Sequence, residues 1–124
     1  MIVINSKDGF SGGCEGLTSY MLIGENNTGV KNISIQYSEV EVGKEQPLHK
    51  HEPEQCYFII EGTGLMIIEA EECQVAQGDA IYIPGNAMHG IKNAGNKVLK
   101  YLTANTPAFD SDYESKLWPQ KPIL

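Results

Sequence analysis

The chain has three histidines, and their spacing favours metal binding. His49 and His51 are separated by one residue, Gln55 follows closely, and His89 comes much later. Side chains two positions apart on an extended strand point to the same face of a sheet. A third histidine from another strand can then complete a set of three neutral imidazoles, which suits a borderline divalent ion. The pattern predicts that His49, His51 and His89 bind a divalent transition metal, whether Fe, Mn, Ni, Co, Cu or Zn.

The elements that must position these histidines are predicted to be short strands. Apolar and polar residues alternate over short stretches that are separated by Gly, Pro and Asn turns. No amphipathic helix of three turns or more is predicted before residue 104. This pattern is typical of an all-β fold, an antiparallel sandwich or barrel. The predicted strands are 17–23, 32–42, 48–60 with an interruption at Pro53, 65–69, 73–76, 80–83, 88–92 and 98–103.

The length of 124 residues predicts a single domain spanning 1–124, with its core at about 30–104. Residues 105–124 form a C-terminal tail that contains Phe109, Tyr113 and Trp118. A short helix is predicted over 110–117, with Asp110 or Ser111 as its cap. The tail is expected to pack on the barrel or on a partner subunit, and an unstructured tail is the alternative.

Charge and composition exclude several classes of partner. Nine basic and 16 acidic side chains give a net charge of -7, which argues against nucleic acid or an anionic membrane as the main partner. The first residues lack a basic segment followed by a long apolar stretch, so no signal peptide is predicted. The three cysteines, Cys14, Cys56 and Cys73, are an odd number without a pairing pattern. They predict reduced thiols in a cytoplasmic protein.

Two segments of the chain carry fixed spacings that go beyond the histidines. In the first, five residues separate Gly43 from His49-x-His51, three more precede Gln55, and six more precede Gly62. In the second, five residues separate Gly78 from Pro84, and three residues separate His89 from Asn93. Together these segments resemble the paired motifs of the cupin superfamily over residues 43–93. The resemblance implies an antiparallel double-stranded β-helix (jelly-roll) barrel, and a homodimer.

The resemblance implies that His49, His51 and His89 are metal ligands and that position 55 supplies the fourth. The family pattern usually has Glu at that position, whereas this chain has Gln55. An amide can ligate through its carbonyl oxygen but carries no charge, which should favour an anionic substrate. Gln55 could ligate directly or hold a bound water, or Glu54 could ligate instead. The second motif also has Asn86 where Gly is usual, and Gly85 is expected to serve the turn.

Three tyrosines are candidates to line the pocket. Tyr57 has the same strand parity as Gln55, while Tyr37 and Tyr101 lie on strands expected to flank the site. Each could donate a hydrogen bond or act as an acid, and each could instead pack in the core.

A three-histidine site leaves coordination positions open for a small-molecule substrate. We therefore expect a metal-dependent enzyme acting on a polar organic acid, sugar or enolisable compound. Dioxygenase, lyase and isomerase chemistry all remain open because the fold hosts many activities. A non-catalytic module that binds a metabolite or sugar is the alternative.

Overall fold

The computed structural model describes residues 1–117, which form two antiparallel β-sheets. A short 3₁₀ turn, Ser6–Asp8, precedes the strands, and two short helices are present, α1 (Glu25–Thr28) and α2 (Ser111–Leu117). The strands are β1 (Phe10–Cys14), β2 (Leu17–Ile23), β3 (Ser34–Val40), β4 (Glu45–His49), β5 (Glu54–Glu61), β6 (Thr63–Ile68), β7 (Glu71–Ala76), β8 (Ala80–Ile83), β9 (His89–Asn93) and β10 (Leu99–Thr106).

The strand order is that of a jelly roll. One sheet has the order β1-β2-β3-β10-β5-β8 and the other has the order β4-β9-β6-β7. Neighbours in sequence often lie in different sheets, so the chain crosses repeatedly between the two layers. The expected all-β jelly-roll architecture is confirmed, with two separate sheets rather than one closed sheet.

The interior combines an apolar core with a polar region. Burying each large aliphatic side chain stabilises the fold by about 1.5–3 kcal/mol. The six-stranded sheet, however, turns polar side chains inward at its centre: Ser34, Gln36 and Ser38 of β3 are buried, and Gln36 lies opposite Thr103. The apolar core between the sheets comprises Leu17, Val40, Tyr57, Ile59, Met66, Val75, Ile83, Ala87, Ile91, Leu99 and Tyr101.

The sheet extends beyond the predicted core at both ends. Strand β1, with the sequence Phe-Ser-Gly-Gly-Cys, was not predicted and pairs with β2, so the fold begins well before residue 30. Strand β10 continues to Thr106, which places Asn105 in the sheet rather than in the tail. The predicted strand 48–60 divides into β4 and β5 because Pro53 lies in the turn between them.

The turn before His89 differs from the prediction. Asn86 itself has a positive φ of 63°, whereas Gly85 is not in that region. Asn tolerates the left-handed conformation better than most residues, so it replaces the usual glycine directly. Gly85 is needed for a different reason, because a Cβ atom there would lie 2.5 Å from the carbonyl oxygen of Glu52.

The C-terminal segment covers one end of the fold. Asp110 caps α2 by accepting a hydrogen bond from the backbone N–H of Tyr113 at 2.8 Å, as predicted. The buried carboxylate of Glu114 accepts the backbone N–H groups of Glu25 and Asn26, each at 2.9 Å, at the start of α1. Burial raises the pKa of Glu114, against the lowering effect of these two hydrogen bonds. Residues 110–117 therefore pack against the start of α1, while Trp118 lies outside the described residues.

No helix within residues 1–117 combines the length and the apolar character that crossing a bilayer requires.

Candidate metal centre

The three histidines meet at one end of the space between the sheets. His49 is the last residue of β4, His89 is the first residue of β9, and the two lie opposite each other in the ladder. His51 follows in the connection to β5. One donor nitrogen from each ring lies within 4.8 Å of the other two. Nitrogens around one divalent ion are about 3 to 4 Å apart when each metal–nitrogen bond is about 2.1 Å, so small ring rotations suffice.

Backbone carbonyls fix the orientation of all three rings. In each ring, Nδ1 lies 2.8 to 2.9 Å from the carbonyl oxygen of a residue two positions away. A carbonyl only accepts, so Nδ1–H donates and the lone pair of the neutral ring resides on Nε2. Second-shell hydrogen bonds of this kind orient metal-binding histidines. The pairs are His49 with Pro47, His51 with Pro53, and His89 with Ala87.

The environment keeps these rings neutral. Burial lowers the pKa of all three histidines, and for His89 it does so to about 4 with further lowering from His49 and His51. The hydrogen bonds to backbone carbonyls oppose this effect without reversing it. Neutral imidazole is the form that binds metal ions.

Gln55 places its carbonyl oxygen against the histidines. Its Oε1 lies 3.2 Å from Nε2 of His51 and 3.1 Å from Nε2 of His89. Its amide nitrogen donates to Oδ1 of Asn105 at 2.5 Å, which directs Oε1 toward the rings.

The atoms present fit a cation. Two Nε2 lone pairs and an amide oxygen face one another at hydrogen-bond distance, yet with neutral rings none of these atoms carries a proton. Such an arrangement is repulsive unless a positive charge lies between the acceptors, and a divalent ion supplies it. His49, His51, His89 and Gln55 are therefore chemically suited to hold a divalent metal.

Asn105 and Gln36 form a buried amide network that the sequence interpretation missed. Nδ2 of Asn105 donates to Oγ of Ser34 at 2.7 Å and to Oε1 of Gln36 at 2.9 Å. Thr103 also donates to Gln36 Oε1, at 2.5 Å. These bonds leave Asn105 Oδ1 available for Gln55. The network thus fixes which end of Gln55 faces the histidines.

A cavity of about 340 Å³ opens beside the histidines, with His49, His51 and Gln55 among its lining residues. Phe109 and Tyr113 form part of its wall, with their ring centroids 5.0 Å and 6.4 Å from that of His51. The described lining residues include Lys116 but neither aspartate nor glutamate. The cavity is therefore suited to a small molecule and presents no anionic wall to an anion.

Two of the three candidate tyrosines lie at this site. Tyr57 lines the cavity, and its ring stacks on that of Tyr101 with centroids 4.9 Å apart. Both hydroxyls donate to Oε1 of Gln46, Tyr57 at 3.1 Å. Burial raises the pKa of both phenols, so both remain protonated donors at neutral pH.

Tyr37 corrects the sequence prediction, because it lies on the opposite face of the sheet. It alternates with the inward-facing Gln36 and Ser38, its ring stacks on Tyr20, and its hydroxyl donates to Glu39 at 3.0 Å. Burial and the neighbouring Glu39 carboxylate raise its pKa. Tyr37 therefore contributes to the outer surface rather than to the cavity.

Glu54, the other candidate ligand near the motif, does not face the histidines. Glu54 is exposed, and its carboxylate accepts a hydrogen bond from the hydroxyl of Tyr82 at 2.8 Å, so it does not replace Gln55. Cys14, Cys56 and Cys73 are free, exposed thiols, as expected. Asn93 holds its turn by donating to the carbonyls of Val40 and Lys97.

Comparison with known proteins identifies relatives of this chain. The sequence profile of the cupin domain matches residues 36–105. An uncharacterized protein of Methanocaldococcus jannaschii is 42% identical over 85 residues, which cover 68% of this chain and 67% of that protein. The dimethylsulfoniopropionate lyase DddW of Ruegeria pomeroyi is 30% identical over 69 residues, covering 56% of this chain and 45% of the lyase.

Solved structures show the same fold. The formate complex of oxalate decarboxylase from Lactobacillus farciminis superposes with a TM-score of 0.76 at 22% identity. The superposition covers 83% of this chain and 32% of the decarboxylase chain, so this chain corresponds to part of the larger protein.

Proposed function

Because the chain belongs to the cupin domain family, we propose that it is a metal-dependent enzyme acting on a small polar molecule. His49, His51 and His89 would hold a divalent metal through Nε2, and Gln55 would ligate through Oε1. The observation that carries this proposal is the convergence of unprotonated acceptors beside a cavity. A metal held there supplies Lewis acidity to an oxygen of the substrate.

The residues around the cavity define what this chain adds to that chemistry. Three neutral imidazoles and a neutral amide leave the charge of a divalent ion uncompensated, which favours a substrate with an anionic oxygen. Phe109 and Tyr113 place their rings against one side of His51. Tyr57 and Tyr101 remain protonated and orient Gln46. Lyase chemistry is the reaction type we favour, because a relative that is 30% identical over 69 residues is a lyase. Dioxygenation is the other type we propose.

A non-catalytic metabolite-binding module is the second candidate. It is favoured by the absence of a carboxylate among the described cavity-lining residues, since a lyase usually needs a general base. A ligand retained without turnover by metal-loaded protein would support this candidate.

Chelation tests the proposed function directly. We expect protein purified without chelator to contain about one equivalent of transition metal. Removing a metal that is present at about 100 times its dissociation constant lowers the free energy of unfolding by about 2.7 kcal/mol. Chelation should therefore lower the melting temperature by at least about 5 °C. Adding back the metal should restore both stability and turnover of small hydroxy-, keto- or sulfonio-carboxylates. Metal-free protein with unchanged melting after chelation would contradict the proposal.

We also propose that the chain forms a homodimer through the outer apolar face, defined as Ile35, Tyr37, Phe58, Ile60 and Leu102. These residues alternate with the inward-facing residues of β3, β5 and β10. Phe58 and Ile60 are 47% and 41% exposed, unusual for large apolar side chains side by side on a sheet.

Phe58→Lys tests this interface. A charge in the centre of an apolar contact is expected to shift the mass measured by light scattering from dimer to monomer. Glu72→Lys, an exposed substitution on β7, is the control and should leave the mass unchanged. A monomeric wild type, or a dimer that persists in Phe58→Lys, would refute the interface.

A further inference from the structure

Gln46 occupies an unusual position in the cavity wall. It lies on β4, the strand that ends at His49, and its side chain is half-buried and lines the cavity. Its Oε1 is the shared acceptor for two phenol groups, those of Tyr57 and Tyr101. Both rings are nearly fully buried, so this acceptor is fixed from within the core.

Counting donors and acceptors shows which end of the Gln46 amide the two tyrosines use. A phenol hydroxyl donates one proton, and an amide oxygen has two lone pairs, so the two tyrosines use the acceptor capacity of Oε1. In this orientation Oε1 serves both phenol hydroxyls, and neither tyrosine uses the two N–H groups on Nε2. Gln46 lines the cavity, so its amide nitrogen is the end of the amide that is left for a bound molecule.

Nε2 of Gln46 has two N–H groups to donate. Within residues 1–117, all hydrogen bonds of the Gln46 side chain are made by Oε1, and none involves Nε2. Gln46 lines the cavity from strand β4, beside the histidine cluster. Its amide N–H pair can therefore donate to an oxygen of a bound molecule.

We propose that Gln46 is a specificity-determining residue that donates its amide N–H to an oxygen of the substrate. The substrate class is a small molecule with two oxygen functions, typically a carboxylate plus a second carboxylate, carbonyl or hydroxyl oxygen. One oxygen binds at the histidine cluster and another accepts from Nε2 of Gln46. This inference rests on the proposed function, because it uses the same cavity, and it assigns Tyr57 and Tyr101 the role of positioning Gln46.

The chemistry at position 46 explains why a donor suits this wall. A carboxylate here would accept from both tyrosines equally well, but it would repel an anionic ligand and could not donate. A cationic side chain at position 46 would fully neutralise the charge of an anionic ligand. The amide instead binds both carboxylate and neutral carbonyl oxygens, so it selects for geometry more than for charge.

Two substitutions of Gln46 test the inference. Gln46→Glu keeps the shape and the acceptor for both tyrosines while removing the N–H groups, and Gln46→Leu removes both functions. The probes are acetate and glycolate, titrated into zinc-loaded, ¹⁵N-labelled protein and followed by NMR. The side-chain NH₂ signal of Gln46, identified by its loss in both variants, is expected to shift saturably in the wild type. Affinity for both probes, read from backbone amides lining the cavity, should fall about tenfold in each variant.

The control separates a binding role from a structural one. Gln74→Glu makes the same charge change on an exposed residue of β7 and should alter probe affinity less than about twofold. Zinc content should stay equal in all four proteins. If Gln46 only bridges the two tyrosines, Gln46→Leu will melt at a lower temperature, but both Gln46 variants will bind the probes like the wild type, which overturns the inference. A wild-type NH₂ signal that does not move also overturns it.

Failure of the proposed function gives a different result. If the wild type takes up no zinc, the metal-dependent proposal fails, and the NH₂ signal of the metal-free protein still reports whether Gln46 contacts the added anion. A saturable shift there would support the donor role of Gln46 alone, and no shift would overturn it.

Discussion

Replacing His89 by alanine is expected to abolish metal retention. The His89 ring is fully buried, its Nδ1–H is held by the carbonyl of Ala87, and its Nε2 faces Gln55. Loss of second-shell partners typically costs about 10- to 100-fold in metal affinity, so loss of a ligand from a set of three histidines should cost more than about 100-fold. Elemental analysis of protein purified without chelator should find about one equivalent of metal in the wild type and almost none in His89→Ala.

Ile91→Ala is the matched control for this variant. Ile91 is also fully buried on β9, and its truncation should cost about 2–5 kcal/mol of stability without touching the metal ligands. A competition titration with a chromophoric chelator gives the affinities of folded protein for both variants. Equal metal content in His89→Ala and the wild type would show that the histidines are not the ligands.

Gln55→Glu is expected to act in opposite directions on metal affinity and on the stability of the metal-free protein. A carboxylate adds a negative charge beside the metal, and we expect affinity to rise by about 10- to 100-fold. In the metal-free protein, the second carboxylate oxygen would face Oδ1 of Asn105, at the place where Nε2 of Gln55 now donates at 2.5 Å. Two facing acceptors should destabilise that state by about 1–3 kcal/mol.

Chelator competition and thermal melting, each with and without metal, measure the two effects of Gln55→Glu. Gln74→Glu again controls for charge alone and should change neither. Looser metal retention in Gln55→Glu would contradict the charge argument. If the metal-free variant is as stable as the metal-free wild type, the side-chain amide of Asn105 can rotate by a half-turn. The amide network would then be less rigid than its hydrogen bonds indicate.

The clustering of the proposed ligands was predictable from the sequence because it depends on local spacing. His49 and His51 are two residues apart at the end of one strand, and the motif spacing brings His89 to the neighbouring strand. Turns marked by glycine were predictable for the same reason. Gly62 and Gly78 both have positive φ values, which glycine adopts without a steric penalty.

The assignment of faces in β3 was not predictable in this way. Its alternation of Ile35 and Tyr37 with Ser34, Gln36 and Ser38 ordinarily indicates that the apolar set faces inward. Here the polar set faces inward, because the interior at this level is a cavity with an amide network. The signal that was available was the polar character of Thr103 and Asn105, which also alternate on their strand.

Other features depend on which strands pair with each other, and the spacing of residues in the sequence does not indicate that pairing. Asn105 meets Gln55 because β10 lies between β3 and β5, and Gln46 meets Tyr101 from the opposite sheet. Strand β1 was missed because Gly12 and Gly13 have low strand propensity, so only its pairing with β2 gives it extended structure.

The proposed ligands come from both sheets. His49 and His89 belong to the four-stranded sheet, whereas Gln55 belongs to the six-stranded sheet. An ion held by all of them acts as a cross-link between the two layers, and neither layer can separate without breaking a coordination bond. The free energy of ion binding then enters the cooperative unfolding of the whole sandwich rather than the fraying of one loop.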